Sequence, residues 1–127
     1  MDNHPQYATR VRELLDRSYR RGDSLFTSYL ALGEIVAGAA NSPQKQKGAA
    51  IRSVVEEMGF SFLAFDGGAV TPFSTLRAAR KLPVADSIHL ACAASAGMDL
   101  FLTGDKRLIR LDVPGIHFIA DFTSPIL

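Results

Sequence analysis

An apolar run, Leu100-Phe-Leu-Thr103, stops at Gly104 and then presents the carboxylate of Asp105. Ligands of open α/β sheets bind in the crevice beyond the carboxyl ends of the strands, so an acid at that spot is placed for chemistry. The segment before it, Ala85-Asp86-Ser-Ile-His-Leu-Ala-Cys-Ala-Ala-Ser-Ala-Gly97, reads as a buried helix with Asp86 in its first turn. A third acid, Glu34, lies one to two turns into a helix that follows the short strand Leu25-Phe-Thr27. If the sheet is doubly wound, all three carboxylates reach its carboxyl edge. Ionised together in one pocket they repel, at roughly 4 kcal/mol per pair for a separation of about 4 Å and an effective dielectric near 20. Protonation, neighbouring Lys and Arg, or a divalent cation with oxygen preference must offset that repulsion. An all-carboxylate shell without Cys and with few His suits Mg²⁺ or Mn²⁺ rather than Zn²⁺. Such an ion can activate a water and stabilise a phosphoryl transition state.

The elements that must position these acids follow from spacing. A helix from about Pro5 to Arg21 presents Tyr7, Val11, Leu14, Leu15 and Tyr19 on one face, and Asp2 or Asn3 would cap it. Gly22-Asp23 ends it, strand Leu25 to Thr27 follows, and Ser28 leads into a second helix, Tyr29 to Ala40. A third helix, about Gln44 to Met58, turns Ile51, Val54, Val55 and Met58 inward and closes at Gly59. Strand Phe60 to Phe65 ends at Asp66, and Gly67-Gly68 turn the chain into a helix reaching Lys81, with Pro72 tolerated in its first turn or at a kink. After the Ala85 helix and the strand Leu100 to Thr103 come a helical turn around Leu108 to Leu111 and a last strand, Ile116 to Ala120. Strands alternating with helices argue for a parallel sheet flanked by helices.

Composition bounds the reading. With 127 residues and 47% apolar content the chain is one ordinary domain, residues 1–127, and the only linker-like patch is Asn41 to Gly48. A formal charge of +1 gives no global basic field, so any nucleic-acid contact must be local. The single cysteine, Cys92, reads as a small buried hydrophobe in a reducing compartment. No signal-peptide core or bilayer-length apolar stretch is visible, which makes the cytoplasm the default location.

Ser28-Tyr-Leu-Ala-Leu-Gly-Glu34 followed by Gly38, Ala85-Asp86-Ser-Ile-His-Leu-Ala91, and Leu102-Thr103-Gly104-Asp105-Lys106 resemble, in order and rough spacing, the three downstream acidic motifs of PIN domains. Among these the chain most resembles the VapC-type toxin ribonucleases, over essentially its whole length. The resemblance implies a PIN-like three-layer α/β sandwich and an endoribonuclease dependent on Mg²⁺ or Mn²⁺. It also implies a homodimer restrained by a cognate antitoxin protein. Carried over residue by residue, Glu34, Asp86 and Asp105 look like catalytic acids of the metal shell, and Thr103 looks like the supporting hydroxyl beside the last of them.

One departure is expected to matter. PIN domains open on an apolar strand ending in aspartate, whereas this sequence enters its first helix at Pro5, so the central first strand is missing and Asp2 reads as a helix cap rather than a displaced ligand. The expectation is a gene product that begins upstream, and a 127-residue chain that is marginally stable, prone to associate and poor as a nuclease. The competing class is therefore a PIN-like interaction protein with a broken site, which only dimerises or binds an antitoxin. A phosphoryl-accepting receiver domain fits poorly, lacking the acid of an early central strand and the Lys of a late one.

The remaining candidates have plainer readings. His89, one turn after Asp86, is within side-chain reach of it and reads as a helix-face residue before a general base. His117 reads as a strand residue, and Asp66 as a turn or cap residue with Gly67. Arg77, Arg80 and Lys81 on one side and Lys106, Arg107 and Arg110 on the other form a solvated charged face that could instead meet RNA phosphates. Aromatics to stack on bases are not evident beside them.

Overall fold

A computed structural model describes residues 5–41 and 48–124, with side chains from residue 9 onward. Helix α1 (Pro5–Arg21) leads through a Gly22 turn to strand β1 (Leu25–Ser28) and helix α2 (Tyr29–Ala40). Helix α3 (Gly48–Glu57), strand β2 (Phe60–Leu63), a 3₁₀ turn (Gly67–Ala69) and helix α4 (Val70–Ala78) follow. Helix α5 (Val84–Ala96) and strands β3 (Leu100–Thr103) and β4 (Phe118–Asp121) complete the described chain. The proposed cap Asp2, the linker residues 42–47 and the expected start of the third helix at Gln44 lie outside the described residues.

The strands are parallel and flanked by helices, and they form two separate pairs. β1 pairs with β2 in the register Leu25↔Phe60 to Ser28↔Leu63, and β3 pairs with β4 from Leu100↔Phe118 to Thr103↔Asp121. Among the described residues no strand joins the pairs into one sheet. Parallel strands are ordinarily covered on both faces. Here every residue of β3 is only half-buried, and Phe26 of β1 is exposed.

Helix α5 is the centre of the core. Its Ala91, Ala93 and Ala94 let neighbours approach closely, and Leu90 is fully buried. Leu76 of α4 and Leu108, Val113 and Ile116 of the β3–β4 connection pack with it, joined by Phe101 and Ile119 from the strands. Each large apolar side chain buried this way contributes about 1.5–3 kcal/mol. The helix stops at Gly97, whose φ of +70° is left-handed and whose N–H bonds back into the last turn. Gly115, at φ +100°, lets the returning loop touch α5: a Cβ there would sit 2.4 Å from the carbonyl oxygen of Ala94.

Several boundaries differ from the sequence reading. The helix expected to reach Lys81 ends at Ala78, because Lys81 takes φ 55° and Leu82 N–H turns back to the Leu76 carbonyl. Pro72 lies in the first turn of α4, where its missing N–H costs no helical bond. β2 ends at Leu63 rather than Phe65. The last strand starts at Phe118 rather than Ile116, because the Ile116 N–H closes a turn onto Val113 and its side chain plugs the core. His117 is thus not a strand residue but an exposed one, 3.4 Å from the Asp99 carboxylate. On α3, Ile51 is buried as expected while Val54 is exposed.

Candidate active site

Ser28 is both the last residue of β1 and the N-cap of α2. Its Oγ accepts a hydrogen bond from the Ala31 N–H at 3.0 Å, satisfying one of the orphan donors of the helix start. The same oxygen lies 2.8 Å from His89 Nδ1 on α5, and His89 Nε2 lies 3.1 Å from Glu34 Oε1 on α2. A carboxylate only accepts, so His89 donates from Nε2 to Glu34, and for neutral imidazole Nδ1 then accepts the Ser28 hydroxyl proton. The relay Ser28–His89–Glu34 therefore pins α5 to α2 at the end of β1. The sequence reading placed His89 with Asp86; its hydrogen-bond partners are Ser28 and Glu34 instead.

The second half of the site is built on β3. The Thr103 hydroxyl accepts the Asp105 N–H at 3.0 Å, fixing the turn that carries the acid. Asp105 Oδ1 then accepts from the Arg107 N–H at 2.9 Å and from Arg107 Nε at 3.0 Å, while Oδ2 accepts from Nη2 at 2.6 Å. These hydrogen bonds, led by the guanidinium, hold the Asp105 carboxyl below the usual carboxylate range and push the Arg107 guanidinium up from its ordinary value. The charge of Asp86 contributes to the shift of Arg107, which places the first turn of α5 and the Asp105 turn in one electrostatic neighbourhood. Asp86 is not a cap, because the N-cap of α5 is Pro83; its charge complements the helix start from within the first turn.

Two of the three acids are already paired: Glu34 with His89 and Asp105 with Arg107. The all-oxygen donor chemistry suits a hard divalent cation. Among the described residues, no three His, Cys, Asp or Glu side chains gather closely enough to hold a metal ion. Of the remedies for carboxylate repulsion set out above, neutralisation by a cation of the chain is on view at Asp105, through Arg107.

Other residues sort themselves by contact. Asp66 accepts the Gly68 N–H at 3.0 Å and caps the 3₁₀ turn, which bears out its plainer reading. Arg77 and Arg80 donate to the carbonyls of Leu82 and Asp112. Cys92 is buried, and burial, helped by the charge of Asp66, pushes its thiol up.

Two residues escaped the sequence reading. Asp121 ends β4 opposite Thr103, and its carboxyl is held low by the Thr123 hydroxyl and N–H, with Lys106 adding its charge. The apolar run Phe118-Ile-Ala ending in Asp121 is the same signal that singled out Asp105. Tyr29, next to Ser28, is half-exposed with its ring 5.3 Å from Phe62, and the Arg52 guanidinium lies 5.7 Å from both rings. This aromatic pair lies beside Ser28, at the start of α2.

Comparison with known proteins adds one match: the family model of the PIN domain aligns with residues 3–114. No curated protein matches the chain.

Proposed function

The chain belongs to the PIN domain family, a family of nucleases, and from that premise we propose that it is an endoribonuclease of the VapC toxin type. The observation that supports this reading is the match of the PIN domain model to residues 3–114, with Glu34 held by His89 across α2 and α5 and the Asp105 turn held by Thr103 at the end of β3. In this reading the three acids are the catalytic and metal-shell residues, Mg²⁺ or Mn²⁺ is the cofactor, and Thr103 holds the Asp105 turn. His89 orients Glu34 across the helices. Lys106 and Arg110 supply phosphate contacts, and Tyr29 offers a face on which a base can stack. RNA cleavage by such a protein calls for restraint, so a cognate antitoxin and a homodimer in the cytoplasm belong to the same proposal. Exposed apolar side chains such as Ile35, Val54 and Phe118 leave surface for those partners.

A second reading is favoured by a specific observation, the closure of Asp105 by Arg107: a PIN scaffold that binds a partner without cutting RNA. The two part in a simple assay. Purified protein is incubated with mixed-sequence RNA in Mn²⁺ or in EDTA, and its thermal midpoint is followed across the same Mn²⁺ titration. The nuclease reading expects cleavage that EDTA abolishes and a midpoint that rises with Mn²⁺, since a ligand of the folded state alone stabilises it. A flat midpoint with intact RNA selects the interaction protein.

A further inference from the structure

Three arginines bond the protein's own backbone. Arg10 donates to the carbonyls of Phe122 and Ser124, Arg77 to Leu82 and Arg80 to Asp112. Arg10 also meets Glu13 at 3.3 Å and Arg21 meets one oxygen of Asp23, whereas Arg107 sets its Nε and Nη2 against both oxygens of a carboxylate. Its fork meets Asp105 at 2.6 Å through Nη2 and at 3.0 Å through Nε, the bidentate geometry that guanidinium offers equally to carboxylate and to phosphate. Its side chain is 77% exposed, so a ligand can approach it from solvent, and an ion pair so open to water is readily exchanged. The backbone beneath it is anchored, with Leu108 buried and its N–H bonded to the Asp105 carbonyl at 3.0 Å. A change of partner therefore needs only side-chain rotation.

The geometry points to Arg107 as a phosphate-binding residue that Asp105 holds in reserve. While Asp105 pairs with it the fork is occupied, and engaging or neutralising Asp105 hands the fork to a phosphate of bound RNA. The inference rests on the ribonuclease reading above.

A double-mutant cycle in EDTA tests it without any cation present. Binding of a fluorescent single-stranded RNA of mixed sequence is measured by anisotropy for the parent, Arg107→Gln, Asp105→Asn and the double variant, each checked for the parent's circular dichroism. In the parent background Arg107→Gln is expected to change affinity less than about twofold, because the fork is already occupied. In the Asp105→Asn background the same substitution is expected to weaken binding about fivefold or more and to lower the salt slope by about 0.7, the value of one phosphate contact on a single strand. An equal effect of Arg107→Gln in both backgrounds overturns the inference. Failure of all four proteins to bind RNA overturns it together with the RNA reading. A parent whose thermal midpoint ignores Mn²⁺ sinks only the cation reading, and the EDTA cycle still decides the role of Arg107.

Discussion

Asp105 and His89 do most to define the site at the residue scale, and each yields a prediction from its partners. Arg107 holds the folded-state pKa of Asp105 below its unfolded value of about 3.9, so between those values the folded chain binds fewer protons than the unfolded one. Stability from this contact is therefore fully present above about pH 4 and lost as pH falls through the lowered value. Acid unfolding followed by circular dichroism should show a steeper loss for the parent than for Asp105→Asn, and at neutral pH Asp105→Asn should abolish both Mn²⁺ stabilisation and any nuclease activity. Identical acid profiles would remove Arg107 as the cause of the shift. For His89→Ala the expected cost is about 1–3 kcal/mol, because the buried Ser28 hydroxyl loses its acceptor. Glu34 is released at the same time, so activity should fall further than stability alone explains. His89→Gln, which can still bridge, should recover part of both in urea melts and cleavage assays.

Elements were legible where a period and a stop signal agreed. Helix α1 ends in the Gly22 turn, α2 begins after the cap Ser28, and β3 is an apolar run closed by Thr103-Gly104, so their limits could be read from the chain. The start of β4 could not. Ile116 belongs to the alternation Ile116-His-Phe118, yet it is buried for a different reason, as the plug of a turn against α5. The acids of the site were legible one by one as strand-end or first-turn residues. Their pairing across α2 and α5 was not, because Glu34 and His89 lie 55 residues apart and only the packing of the helices brings them together. Gly115 gives the element-scale test of that packing. Gly115→Ala forces a side chain into a left-handed φ of +100° and against the Ala94 carbonyl. It should cost about 2–4 kcal/mol by urea denaturation, the sum of backbone strain and overpacking. A loss below half a kcal/mol would mean that the loop relaxes away from α5.

At the scale of the whole molecule the two strand pairs are unequally supported. The β3–β4 pair leans on the contiguous core of Leu76, Leu90, Leu108, Val113 and Ile116, whereas around β1–β2 the buried large side chains are the scattered Leu14, Leu32 and Ile51. Parallel pairs are slow to form and gain their stability from coverage, so the less covered pair should open first. Native-state hydrogen exchange should therefore find the slowest amides in α5 and β3, protected up to the global unfolding free energy, and those of β1, β2 and α3 exchanging through a smaller opening. Glu34 and Ser28 sit on the side that opens, and Asp105 on the side that does not. Since His89 of α5 is the residue that ties Ser28 and Glu34 to the stable side, His89→Ala should accelerate exchange in β1 and β2 while leaving β3 and β4 nearly unchanged. Uniform protection across both pairs, or acceleration spread equally over them in the variant, would show that the halves unfold as one unit.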